Sequence, residues 1–182
     1  KGGVRFDEGN PNKDENAPSA KGVKSDTAIL ISGGTLTADA RDDALHAQNI
    51  TISGGSVSAS SADDGLHADE VLSLSGGTVR VPTSYEGLEG KQVLISGGDI
   101  YVYATADGVN AADGAVTASP MMGRMPATSD ENAPRLEISG GNVVIIAEVD
   151  GLDSNGYLII SGGTTLVRGQ NSCFDGALDA DY

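Results

Sequence analysis

The chain has 182 residues and carries 26 Asp and Glu against 11 Lys and Arg, a formal net charge of −15. That charge excludes nucleic acid as a partner, since phosphate recognition needs the opposite sign, and no apolar run is long enough to span a bilayer. The single cysteine, Cys173, excludes a disulfide framework and reads as a small core residue, because other repeats place Leu or Val there. The length fits one domain with a sizeable core. The chain begins at Lys1 rather than Met. This is consistent with removal of a leader or a longer N-terminal region, and a secreted or cell-surface setting is expected.

Residues 1–20 are polar and carry no alternation beyond Val4 and Phe6, so they read as a loop or the remnant of an earlier turn. Residues 21–182 are repetitive. A Ser-Gly-Gly triplet recurs with its first glycine at Gly33, Gly54, Gly76, Gly97, Gly140 and Gly162, in steps of 21, 22, 21, 43 and 22 residues. The long step reads as two periods, one without the triplet. Around each triplet the apolar residues alternate, as in Ile50, Ile52, Val57 and Ala59, or Leu136, Ile138, Val143 and Ile145. Alternation is strand periodicity. A third short segment follows: DALHA at Asp43, DGLHA at Asp64, EGLEG at Glu86, DGVNA at Asp107 and DGLDS at Asp150, with Leu45, Leu66, Leu88, Val109 and Leu152 pointing inward. The earlier phrase AKGVKSD, from Ala20 to Asp26, already matches it. The expected fold is all-β, a parallel β-helix with three short strands per turn of about 22 residues and a Gly-Gly corner where positive φ costs least. A leucine-rich solenoid would need a helical return segment, and no 3.6-residue pattern is present. Between 113 and 135 the rule lapses into a Pro-, Ser- and Met-rich insertion that replaces a turn or bulges out of one. Phe174 and Tyr182 are candidates to blunt the C-terminal end of the solenoid against strand addition.

Equivalent residues of successive turns stack about 4.8 Å apart. The third segment then forms a column of Asp43, Asp64, Glu86, Asp107, Asp150 and Asn171, thickened by Asp42 and Asp63. Three residues on, a second column reads Lys24, His46, His67, Glu89, Asn110, Asp153. Like charges at this spacing repel by a few kcal/mol per pair, at an effective dielectric of about 20. Cations or protons must neutralise them. Calcium is the expected ion, being hard and tolerant of flexible carboxylate geometry; magnesium is the weaker choice. Asp42, Asp43, Asp63, Asp64, Glu86, Glu89, Asp107, Asn110, Asp150 and Asp153 are the candidate ligands. The competing reading makes these residues turn formers bonded to their own backbone. His46 and His67 could bind zinc, but no cysteine partners accompany them, and a structural role is equally open.

The outward residues of the second strand give two further columns: Thr37, Ser58, Arg80, Tyr101, Val144 and Leu166, and beside them Asp39, Ser60, Pro82, Tyr103, Ile146 and Arg168. Tyr101 and Tyr103 with Arg80 on one flat face suit an extended polysaccharide laid against the rings, or alternatively lateral contact with another chain. No nucleophile elbow, Walker loop, dinucleotide fingerprint or zincin motif occurs.

The phrases KGVKSD, ITISGG, DDGLHAD, SYEGLEGKQVLISGG and DGVNAAD, spread over about residues 21–173, closely resemble the bacterial carbohydrate-binding β-helix family first described from a cellulose-degrading clostridium. The resemblance implies a right-handed parallel β-helix similar to polysaccharide lyases, a secreted or surface location, bound calcium near Asp43, Asp64, Glu86, Asp107 and Asp150, and affinity for cellulose-like glucans or acidic plant polysaccharides. The reading that follows is a non-catalytic, calcium-stabilised carbohydrate-binding module. Two alternatives stand beside it. A calcium-dependent polysaccharide lyase would need a base, for which Lys24 is the first candidate, followed by Lys91 and Arg80. A structural surface rod would bind no sugar.

Overall fold

The computed structural model describes residues 20–113, 132–170 and 176–181. Residues 1–19, the Cys173, Phe174, Tyr182 and Asn171 assignments, and most of the 113–135 insertion lie outside them. The described chain is all-β, a parallel solenoid of about 6 coils spaced roughly 22 residues apart. Four long strands, β1 (Val23–Ala40), β2 (Leu45–Ser61), β3 (Leu66–Thr83) and β4 (Leu88–Ala104), each make most of one coil. The remaining coils are cut into short pieces: β5 (Val109–Ala111), β6 (Arg135–Ile138), β7 (Asn142–Ala147), β8 (Leu152–Ser154), β9 (Tyr157–Ile160), β10 (Thr164–Arg168) and β11 (Leu178–Ala180). The three segments of a coil are therefore separate strands only in the C-terminal half. In the N-terminal half the pairing runs through the corners, which survive as register shifts, for example between Ala47 and Asn49.

Alternation dictates the interior. Leu45, Leu66, Leu88, Val109 and Leu152 pair in register and are all fully buried. Ile50, Leu72, Val93 and Leu136 form a second buried file, and Val57, Val79, Ile100 and Val143 a third. These files meet along the axis of the rod. At the Ser-Gly-Gly corner the second glycine alone takes a left-handed φ, at Gly34, Gly55, Gly77, Gly98, Gly141 and Gly163. The first glycine has a different constraint: a Cβ on Gly54 would meet the Ser32 carbonyl of the preceding coil at 2.7 Å.

The 43-residue step is one coil, not two. β4 pairs directly with β6 (Val93↔Leu136) and β7 (Tyr101↔Val144), and β5 pairs with β8. Among the described residues no coil lacks a triplet, because every segment of the Glu86 coil already has its neighbour in the next triplet-bearing coil. The residues that flank the insertion are both tied to the rod: Ala112 N–H donates to Gly90 O, and Tyr157 N–H to Pro134 O.

Across the rod, volumes are matched coil by coil. A Cβ on Gly65 would strike Val81 at 2.5 Å, on Gly87 Val102 at 2.2 Å, on Gly108 Ile145 at 2.1 Å and on Gly151 Val167 at 2.2 Å. Where the facing file carries Ala59 instead, the chain has Ala44 at the glycine position, fully buried. Close packing of this kind punishes an added methyl by about 1–3 kcal/mol. Gly87→Ala should lower the urea midpoint by an amount in that range, and Val102→Ala in the same chain should recover part of the loss, giving a favourable coupling in a double-mutant cycle.

Candidate functional site

The DGL phrase sets the site. Its apolar residue goes inward, so the acidic residue two places earlier lies at the coil's edge, with its backbone bonded to the next coil: Ala44 N–H donates to Asp64 O, Gly65 N–H to Glu86 O, Gly87 N–H to Asp107 O and Gly108 N–H to Asp150 O. Asp43, Asp64, Glu86, Asp107 and Asp150 thus stack as one column. The carboxylates also accept hydrogen bonds from the next coil: Asp64 N–H donates to Asp43 Oδ1 (3.3 Å), Asp150 N–H to Asp107 Oδ1 (3.0 Å) and Gly176 N–H to Asp150 Oδ1 (2.6 Å). A backbone role is present, but it serves the neighbouring coil rather than the residue's own turn. Beside this column Lys24, His46, His67, Glu89, Asn110 and Asp153 pair in unbroken register.

The two ends of the column are neutralised differently. At the N-terminal end the Lys21 ammonium bonds to Asp43 and lies 3.4 Å from Asp42, and the carboxylates of Asp42, Asp43 and Asp63 converge within 4.8 Å of one another. Burial alone would lower the lysine pKa, yet its bonds and charge pairing with Asp43 and Asp42 raise it. Asp43 is 1% exposed. Burial would raise its pKa, but the bonds from His46 and Lys21 outweigh burial and hold it at about 2. His46 Nδ1 sits 2.8 Å from Asp43 Oδ2, and His67 Nδ1 sits 3.0 Å from Asp64 Oδ2 and 3.3 Å from Glu89 Oε2. The two rings lie 4.7 Å apart, tilted. Burial would lower the pKa of His67, but the bond to Asp64 and the charges of Glu89, Asp64 and Asp43 lift it to about 9.

From Glu86 onward the two columns contain no basic residue. Burial, reinforced by the Asp64 charge, pushes Glu86 up to about 7 despite a 3.1 Å bond from Asn110 Nδ2. Burial and Asp64 also push Glu89 well above the usual carboxyl range, with His67 opposing more weakly. Asn110 Oδ1 is buried and accepts no hydrogen bond. Two carboxyls held above their ordinary range, Glu86 and Glu89, beside an orphaned carbonyl oxygen are the kind of donors a hard cation takes.

Two residues escaped the sequence reading. Lys21 takes the place beside Asp43 that was expected of Lys24; its signal was KGV standing where later coils have DGL. Lys24 is instead half exposed, with its ammonium 4.0 Å from Asp26. Asp69 is the second. Its Oδ1 lies 3.6 Å from His46 Nε2 and 3.8 Å from His67 Nε2.

On another face, Thr37, Ser58, Arg80, Tyr101, Val144 and Leu166 pair in register as expected. The adjacent row differs at one rung, since a register shift pairs Ser60 with Thr83 rather than setting it beside Pro82. Tyr103 pairs with Ile146, and its hydroxyl donates to Glu148 Oε1 at 2.6 Å, which raises its pKa and fixes the ring. The row runs from polar at Thr37 to apolar at Leu166, which is 56% exposed. The tyrosines stand at the change.

The shifts have a pH signature when divalent ions are absent. Glu86 holds its proton to about 7 in the fold against an ordinary 4.5, so stability falls as pH rises through that window. His67, raised from 6.5 to about 9, adds a second loss in the alkaline range. Asp43, lowered from 3.8 to about 2, acts in reverse and removes stability on acidification across that interval. Thermal unfolding in a chelator should therefore give a maximum between pH 3.8 and 4.5, and Glu86→Gln should remove part of the descent between 4.5 and about 7, the rest belonging to Glu89.

Among the described residues no helix is long and apolar enough to cross a membrane. A search of curated proteins and one of solved structures found no match. A family model described as carbohydrate-binding domain-containing protein matches residues 3–65 and 63–173. These two matches cover nearly the whole repeat, including both acidic columns and the tyrosine row, and the chain belongs to this family of carbohydrate-binding domain-containing proteins.

Proposed function

We propose that the chain is a non-catalytic, calcium-stabilised module that holds an extended polysaccharide outside the cell, either a cellulose-like glucan or a polyuronate. The observation that carries the sugar-binding surface is the outward row in which Arg80 pairs with Tyr101 and Tyr101 with Val144, next to Tyr103 and Ile146. A flat sheet face offers rings for sugar faces and a guanidinium and hydroxyls for their rims. Because Glu148 already fixes Tyr103, part of the ordering cost of binding is met before the ligand arrives.

We assign calcium to the half of the acidic columns from Glu86 onward, which has no basic residue to answer its charge; the convergent set that borders it is Asp64, His67 and Glu89. Glu86, Glu89, Asp107, Asn110, Asp150 and Asp153 would hold it, and Asn110 Oδ1 would gain the partner it lacks. When bound, the ion would replace the protons that Glu86 and Glu89 otherwise keep, and it could offer coordination positions to sugar oxygens. The column at Asp42, Asp43 and Asp63 is a weaker place for an ion, since the Lys21 ammonium already answers those charges. A uronate would meet a strongly negative protein, so its binding should depend on calcium more than that of a neutral glucan.

The lyase alternative needs a base beside the metal. Lys24 heads the second column, but its half-exposed ammonium lies against Asp26, and Lys91 Nζ lies 3.3 Å from Asp113 Oδ2. Neither position favours it over the binding reading.

Two measurements test the proposal. Calcium at about 100 times its dissociation constant should add about 2.7 kcal/mol and raise the melting temperature, and Glu89→Gln with Asp153→Asn should abolish that rise. Tyr101→Ala should weaken retention on insoluble cellulose or polygalacturonate about tenfold, a loss of about 1.4 kcal/mol, with no change in melting temperature. Equal retention of the variant and the parent chain would overturn the tyrosine face, and no retention of either would favour a structural rod.

A further inference from the structure

The imidazole pair has a geometry that the calcium reading does not use. His46 and His67 stack on adjacent coils, in register, with centroids 4.7 Å apart. Each turns Nδ1 toward a buried carboxylate, His46 to Asp43 and His67 to Asp64. A carboxylate can only accept, so each Nδ1 carries a proton; the proton that His67 also holds on Nε2 at neutral pH is the one a metal would displace and release on binding. Both Nε2 atoms face one further oxygen, Asp69 Oδ1, at 3.6 and 3.8 Å.

Asp69 is there because its coil carries one residue more than the coil before it. Ala47 pairs with Ala68 and Asn49 with Val71, so Asp69 and Glu70 together oppose the single residue Gln48. This is a β-bulge, a device that re-aims a side chain. The two adjacent coils lack the extra residue: nine positions separate Leu45 from Gly54 and Leu88 from Gly97, against ten from Leu66 to Gly76, a length shared with Val23 to Gly33 and Leu152 to Gly162. The bulge thus falls in the coil that carries His67 and puts a carboxylate in front of both rings.

We propose that His46 Nε2, His67 Nε2 and Asp69 Oδ1 form a binding site for a borderline divalent transition metal, for which zinc is the probe, next to the calcium positions and sharing with them only the contact of His67 Nδ1 with Glu89. Two imidazoles and one carboxylate suit zinc, copper or nickel far better than calcium. In a tetrahedral zinc site, with bonds of about 2.0–2.1 Å, neighbouring ligand atoms lie about 3.4 Å apart. The gaps to Asp69 exceed that by a few tenths of an ångström, and its side chain is 54% exposed and free to close them. Asp43 and Asp64 complete the arrangement in which a carboxylate behind each histidine fixes its tautomer and strengthens it as a ligand. Three protein ligands leave a fourth position for water or for an oxygen of a bound molecule.

The test is a zinc titration of the full chain by calorimetry in excess calcium, so that the carboxylate columns are already occupied. One zinc per chain should bind, and the imidazole nitrogen spectrum should show both Nε2 resonances moving while the Nδ1 protons persist. Asp69→Asn, an exposed and structurally mild change, should weaken the affinity about 10–100-fold, and His46→Gln should remove stoichiometric binding. Calcium-dependent melting should survive Asp69→Asn unchanged, which separates a failure of this site from a failure of the calcium reading. The inference is overturned if zinc does not bind in excess calcium, if binding is indifferent to both Asp69→Asn and His46→Gln, or if the Nδ1 rather than the Nε2 resonances move.

Discussion

The stacking of each coil on the next in parallel register is the constraint on which the other features depend. Register places like on like: a leucine over a leucine gains burial, but a carboxylate over a carboxylate gains repulsion. The apolar files need no further device. The acidic file does, and the molecule uses different ones along its length. Lys21 and His67 set positive charge against Asp42, Asp43 and Asp64 at one end, whereas burial makes Glu86 and Glu89 keep their protons and Asp107 and Asp150 accept backbone N–H bonds from the next coil. One column thereby acquires two chemical characters without a change of backbone.

The same constraint governs the interior in a less obvious way. A rod has no centre toward which a core can adjust, so each coil must balance its own cross-section. Gly65 opposite Val81, Gly87 opposite Val102 and Gly108 opposite Ile145 achieve this pairwise, and Ala44 appears where the facing file narrows to Ala59. The glycine of the DGL phrase is thus a packing residue, while the second glycine of Ser-Gly-Gly is a conformational one, needed for its positive φ. Two glycines that look equivalent in the repeat answer to different physics.

Much of this was legible in the amino-acid sequence because a period of about 22 residues reports register directly: the inward leucines, the column from Lys24 to Asp153, and the row from Thr37 to Leu166 all follow from alignment of the phrases. What was not legible came from departures from the period. The 43-residue step equals two periods by coincidence of length, and only the pairing of β4 with β6 and β7 shows it to be a single coil. The pairing of Ser60 with Thr83 depends on a corner shift that spacing does not reveal. Lys21 was misjudged for the opposite reason, since its position in the KGV phrase was visible but its charge broke the acidic pattern. Asp69 is the instructive case: the extra residue between Leu66 and Gly76 was countable, but which atoms a bulge brings together is a three-dimensional fact.

The stretch between Ala112 and Pro134 separates two kinds of variation. Because β4 meets β6 and β7 in continuous register, with Ala112 and Pro134 tied back to the rod on either side, the number of residues between those feet does not enter the geometry of any file. A ladder built this way keeps its rungs whatever the length of chain between those two feet. The tyrosine row and the acidic columns can then stay fixed while that chain is lengthened, shortened or exchanged, which makes the rod a frame for display as well as a surface for binding.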